Sequence, residues 1–253
     1  MSDPVETALT VRVQARGGKF LGDDVGGASV VVRNAMTSEV LATGVTRGDS
    51  GSLAGSYQPG ASRETIVTPG DPPTVNWLVA QSTTSKLDVA LPLDRPTPIE
   101  VLAFGPLGGL QSAHRATAVQ WIVPGQPNPE RGWVIGLPGL VVQVLRPPTH
   151  RTLATGGGAV QLAANVTMMC GCPIGEGEPW LPSDFEVTAV IRKAGAGEVA
   201  RVPLAIDAAQ EPSIFVGETT VQAPGDYEAA ISAVQKSTGN AGAGLVTFIV
   251  PGS

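Results

Sequence analysis

The sequence predicts an all-β protein of two tandem antiparallel β-sandwich domains, and three observations predict it. Glycine and proline number 32 and 22 in 253 residues, about a fifth of the chain against a usual share near 12%. Apolar residues recur with a period of two in short segments, the pattern of strands that bury one face. Clusters of Gly, Pro, Asn, Asp and Ser separate these segments as turns do, and helical periodicity is almost absent. Short strands joined by turns build sandwiches or barrels, not parallel α/β sheets.

The first strand follows from Leu9, Val11, Val13 and Ala15 alternating with Thr10, Arg12, Gln14 and Arg16, which gives one apolar and one wet face. Further strands are predicted over 28–33, 39–46, 75–80, 86–91, 98–104, 116–123 and 133–136. Trp77 and Trp121 lie within them and are expected to fill the first core. Turn residues concentrate over 124–132 and 146–158, and either stretch suits an interdomain joint. The boundary is placed near 137–150, giving domains 1–137 and 138–253. Leu140, Val142 and Val144 then open the second domain, and Pro147-Pro148 bend the chain after them. Beyond the bend Val160, Leu162, Ala164, Val166 and Met168 share one face. Phe185, Val187, Ala189 and Ile191 share another, as do Tyr227, Ala229, Ile231 and Ala233. Leu245, Thr247 and Ile249 close the chain, and Ile206–Pro212 has room for one helical turn. Trp180, in a loop between Pro179 and Leu181-Pro182, is expected to be exposed.

Two stretches resemble known folds. Residues 26–51 contain Gly27-Ala28 before an apolar run and Thr37-Ser38 at a reversal. They resemble the opening hairpin of transthyretin-like and carboxypeptidase-regulatory-like sandwiches, with Thr37-Ser38 in place of the usual Thr-Gly of the pattern. The Gly-x-Tyr-x-Phe continuation of that pattern is absent unless Gly55-Ser56-Tyr57 supplies part of it. Residues 223–233, Ala-Pro-Gly-Asp-Tyr-Glu-Ala-Ala-Ile-Ser-Ala, resemble the lead-in to the penultimate strand of many immunoglobulin-like domains. That likeness implies that Tyr227 packs at a corner with its hydroxyl on a nearby backbone group. Both imply a fold and leave activity open, because such sandwiches host many functions.

Composition narrows the partners. With 16 basic and 22 acidic side chains the formal charge is −6, so the chain has no electrostatic footprint for nucleic acid or anionic lipid. The longest apolar stretch, Trp133 to Leu145, is interrupted by Gly136, Pro138, Gly139 and Gln143 and falls short of the roughly 20 residues of a membrane span. A hydrophobic share of 42% and a mean hydropathy of +0.15 exclude wholesale disorder. The opening residues have neither the basic nor the apolar region of a signal peptide. The scarcity of lysine and the wealth of Thr, Ser, Gly, Val and Ala nonetheless favour an extracytoplasmic location, periplasmic or secreted.

The segment Met168-Met169-Cys170-Gly171-Cys172 carries the most suggestive chemistry. Two thioethers and two thiols within five residues offer the soft ligands that Cu(I) selects, and Gly171 lets the backbone turn so that both sulfurs converge. The candidate copper ligands are Met168, Met169, Cys170 and Cys172, with Glu176, Glu178 and Asp184 in the following loop as a second layer. Buried inert thiols, a Cys170–Cys172 disulfide and a catalytic thiol stand beside that reading. His114 and His150 read as solvated loop residues. No Gly-x-Ser-x-Gly elbow, phosphate loop or dinucleotide fingerprint occurs. Arg47-Gly48-Asp49-Ser50 reads as turn chemistry, Asp23-Asp24 lacks the oxygen ladder calcium needs, and Asn165-Val166-Thr167 is a glycosylation sequon inside a predicted strand. The expected function is a non-enzymatic binding or assembly protein, with a protein partner or a homo-oligomer and a candidate Cu(I) site at Met168–Cys172. A structural or adhesive subunit without metal and a thiol-dependent enzyme are the alternatives.

Overall fold

The computed structural model describes residues 3–53, 78–79, 82–126, 132–207 and 211–252. Its elements are β1 (Val5–Ala15), β2 (Ser29–Asn34), β3 (Val40–Val45), β4 (Ser52–Leu53), β5 (Leu78–Val79), β6 (Leu87–Leu93), β7 (Thr97–Gly105), β8 (His114–Ile122), β9 (Trp133–Leu137), β10 (Leu140–Arg146), β11 (Arg151–Thr152), β12 (Gly158–Met168), β13 (Phe185–Lys193), β14 (Gly197–Ile206), β15 (Ile214–Val221), β16 (Gly225–Gln235) and β17 (Ala241–Val250). Short 3-10 turns aside, no helix occurs among the described residues, so the protein is all-β. The stretch over 206–212 holds the end of β14 and, in its described part, no helical turn.

The described chain forms two compact units. The first runs to Gly139 and takes back Met169–Cys172; the second holds Leu140–Met168 and the chain from Pro173 onward. The Met168–Cys172 segment expected in the second sandwich is thus divided between the two units by its backbone contacts. Met168 ends β12 and stays with the second unit. The next four residues leave that ladder, and the Cys170 sulfur accepts the Lys19 backbone N–H at 3.3 Å.

In the first unit, one sheet has the order β6-β1-β9 and the other β3-β2-β7-β8. The β1–β9 pair is parallel and the other pairs are antiparallel. The hairpin expected within 26–51 is β2–β3, which pairs Ser29 with Val45 and Val32 with Ala42. The core comes from the alternating residues Leu9, Val11 and Val13 of β1 with Val30, Val32, Ile99, Val101 and Ala103 of the facing sheet, all buried. The wet face expected of β1 needs correction. Arg12 and Gln14 are buried, because loops cover that face and offer carbonyl groups. Arg12 donates to the Thr84 and Ser85 carbonyls and lies over the Phe20 ring, 5.8 Å from its centroid. The Gln14 side chain donates to the Gly18 carbonyl at 3.0 Å.

In the second unit the strand order is β10-β12-β15-β14-β13-β16-β17-β11. β14 pairs with β13 over most of its length and with β15 only through Ala205 and Ile206, so it bridges a β10-β12-β15 sheet and a β13-β16-β17 sheet. β11 closes the far side by pairing parallel to β17. The buried faces of β12, β13 and β16 are those the alternation predicts. Tyr227, near the start of β16, stacks on Phe248 with ring centroids 5.1 Å apart and donates its hydroxyl to the Ala223 carbonyl at 2.6 Å. That is the corner contact implied by the resemblance over 223–233.

β17 reverses its expected face. Leu245 and Ile249 are exposed, while Gly244, Phe248 and Val250 point inward and are buried. The cause is backbone proximity. A Cβ on Gly242 would stand 2.2 Å from the Leu140 carbonyl oxygen, and one on Gly244 would stand 2.7 Å from that of Val142. Only hydrogen fits where β10 approaches this closely, so the larger side chains take the outer face.

Candidate functional site

The cysteine segment begins where β12 stops. Gly171 holds a left-handed backbone with φ of 75°, which folds Cys170 and Cys172 toward each other, and the structure joins them in a disulfide. Both are buried, as are Met168 and Met169. A Cβ on Gly171 would meet Val25 Cγ1 at 2.7 Å, so glycine is required by contact as well as by conformation. Among the sequence alternatives for this segment, the structure therefore holds the disulfide. In that form neither sulfur is a thiolate, which is the species that binds soft metals or attacks as a nucleophile.

Cys170 and Cys172 come together, whereas Met168 and Met169 belong to different units, and Met168 shares the buried face of β12 with Val160, Leu162, Ala164 and Val166. No group of three or more His, Cys, Asp and Glu side chains suited to a metal occurs among the described residues. Asp184 of the following loop instead accepts the Gln235 amide, the Ser237 hydroxyl and the Ser237 N–H, at 2.9, 2.6 and 3.0 Å. Glu178 packs its Cγ against Gly175. Trp180, expected to be exposed, is 2% exposed; it bridges to Ile174, and its carbonyl accepts the Gly175 N–H at 3.0 Å.

The histidines sit apart from the sulfurs' hydrogen bonds. His114 begins β8 with its ring against Gly139, and His150 lies in a turn with Nδ1 3.5 Å from the Thr247 hydroxyl. Asn165 lies inside β12, paired with Gln143 and Ile214. Asp49 of the Arg47–Ser50 stretch bonds the Gly51 N–H at 2.8 Å, and its carboxyl is held below the usual range chiefly by the Thr83 hydroxyl and next by that N–H. These are turn and strand roles.

A second feature was not singled out in the sequence: the outward face of β3-β2-β7-β8. Trp121, expected in the core, is 65% exposed, and Val119 is 58% exposed. The residues that point outward on β8 are Arg115, Thr117, Val119 and Trp121, and the inward ones are His114, Ala116, Ala118, Gln120 and Ile122. Trp121 stands opposite Pro98, Val119 opposite Glu100, and Thr117 opposite Leu102. Val31, Leu102 and Phe104 on the same face are half-buried, and Val40 is exposed. The face mixes these apolar side chains with Ser29, Thr43 and Thr117, carries Arg115 at one end, and has the ion pair between Arg33 and Glu100 in the row that joins Val40 to Val119. The hydrogen bond from Arg33, and then its charge, hold the Glu100 carboxyl below the usual range. Trp77 and Gly55-Ser56-Tyr57 lie outside the described residues.

Comparison with known proteins places no name on this arrangement. No protein-family model matches the chain, and no curated protein matches it. Among solved structures it is similar to the fibronectin(III)-like modules of Clostridium thermocellum CbhA, at 9% identity over 88% of this chain and 78% of that one, with a TM-score of 0.30. No helix among the described residues is long and apolar enough to cross a membrane.

Proposed function

We propose that the protein is a non-enzymatic binding or assembly component built from two β-sandwich domains, the first of them transthyretin-like. Its partner-facing surface is the outward face of β3-β2-β7-β8. The observation that carries this reading is the exposure of Val119, Trp121 and Val40 on one sheet face. Grouped apolar side chains of this size on an outer surface mark interaction sites, and tryptophan and arginine supply much of the energy at such sites. A photo-crosslinking side chain at position 119, compared with one at the exposed Glu218 of β15, tests it in a native extract. Adducts from position 119 and none from 218 are expected; equal labelling, or none from either, contradicts the reading.

The candidate Cu(I) site belongs to the reduced chain. Supporting it is the turn at Gly171, which already sets the two sulfurs side by side, so that reduction leaves two adjacent thiols with Lys19 N–H on one of them. Titration of reduced protein with Cu(I) against a competing chelator is the test. Stoichiometric uptake that is lost in a Cys170→Ser/Cys172→Ser variant is expected, and uptake equal in both proteins sinks the copper reading.

A further inference from the structure

We infer that β8 pairs edge to edge with β8 of a second copy of this chain, antiparallel and centred on Ala118, so that two four-stranded sheets become one. This rests on the binding reading above and names the partner.

The edge is open. Among the described residues β8 pairs on one side only, with β7. A nine-residue edge presents a row of unmet N–H and C=O groups, a template for another strand. Native edges are usually blunted by proline, lysine, bulges or shortness, and several other sheet edges of the described chain are blunted in these ways. β6 carries Pro92, β9 is five residues long and contains Gly136, β3 faces a bulge at Val32/Arg33, β10 has a bulge at Val144/Arg146, and β11 has two residues. β8 has none of these devices. Its ladder with β7 runs unbroken from Thr97↔Ile122 to Gly105↔His114. No residue of β8 is fully buried, even those of inward parity.

The strand is also self-complementary. Directly opposed residues of an antiparallel pair share one face of the sheet, so two copies can meet only in registers that preserve parity. The register centred on Ala118 is the one that overlaps all nine residues, His114 to Ile122. On the outer face it sets Arg115 opposite Trp121 of the second copy and Thr117 opposite Val119 of the second copy, each pair occurring twice by symmetry. Arg115 has no ion pair among the described residues. Its guanidinium meets an exposed indole at each end of the interface, a favourable cation–π arrangement. On the inner face the small Ala118 lies on the two-fold axis beside its own copy and blocks nothing.

Sedimentation velocity of the full chain across a micromolar to near-millimolar series tests this. A reversible dimer is expected. Trp121→Arg places like charges opposite one another at both ends and should raise the dimer dissociation constant about tenfold or more. Val119→Lys should weaken the dimer too. The double exchange Arg115→Trp/Trp121→Arg re-creates the same pair in the same register and should return the constant toward that of the unaltered chain. A chain monomeric throughout the series overturns the inference, as does a dimer indifferent to Trp121→Arg or one that the exchange fails to restore. A monomer that still crosslinks another protein from position 119 overturns the self-pairing alone and leaves the binding reading standing.

Discussion

Part of β8 in the first unit and part of β17 in the second share a pattern in which small residues turn inward beside large apolar ones that turn outward. β8 has Ala116 and Ala118 inside with Val119 and Trp121 outside; β17 has Gly242 and Gly244 inside with Leu245 and Ile249 outside. Their surroundings differ. β17 is pressed by the β10 backbone on its inner face and paired by β11 at Phe248 and Ile249 of its far edge. β8 has neither constraint among the described residues. The same inversion thus has a steric cause in β17, whereas in β8 it leaves exposed Val119 and Trp121 beside an edge that is unpaired among the described residues.

The largest effect expected from this contrast lies in β17. Gly242→Val would drive a branched side chain into the Leu140 carbonyl and should destabilise the second unit by about 3 kcal/mol or more. A fall in the melting transition reads it, and an unchanged transition would mean that β10 does not hold the close approach. Tyr227→Phe keeps the ring against Phe248 and removes only the bond to the Ala223 carbonyl, a cost of about 1 kcal/mol measurable by urea unfolding. A loss of several kcal/mol would instead make that corner the anchor of the second sandwich.

Acid should act on the open face. The hydrogen bond from Arg33, and then its charge, hold the folded Glu100 carboxyl below the usual carboxylate range, so this pairing favours the folded state at any pH where the unfolded carboxyl is ionised. This contribution is lost as pH falls through the lower, folded value. Unfolding followed from pH 5 to 2 should therefore show a Glu100→Gln variant losing less stability than the unaltered chain, and parallel losses would exclude the pair as a contributor. Smallest of all should be the effect of Trp121→Ser on monomer stability, within about 0.5 kcal/mol, by chemical denaturation of dilute protein. A larger loss would show that the indole packs against its own sheet and is not available to a partner.

Much of the fold was legible because alternation was clean where both sheets of a sandwich press on a strand. Leu9 to Val13, Val160 to Met168 and Tyr227 to Ala233 all bury the faces that the period of two assigns. β14 and β15 were missed because Glu198, Pro203, Gly217 and Glu218 break that period, and β14 divides its pairing between two neighbours. Trp121 and Trp180 exchanged their expected places. The first follows strand parity onto an outer face, and the second is enclosed by a proline-flanked loop that no periodicity describes. Arg12 and Gln14 read as wet because burial by a loop that supplies carbonyl acceptors leaves no local mark in sequence. At the cysteines the sequence could list four chemistries for one spacing, and the choice among them depended on how Gly171 turns the chain.

The self-pairing of β8 is tested most directly by a single cysteine on its axis. In a Cys170→Ser/Cys172→Ser background, Ala118→Cys brings two sulfurs within the 4.4–6.8 Å Cα separation of a disulfide, whereas Gln120→Cys leaves them more than about 13 Å apart. Rapid oxidation to a covalent dimer at position 118, with little at 120, is the result predicted. Equal yields at the two positions, or monomer at both, would contradict the account.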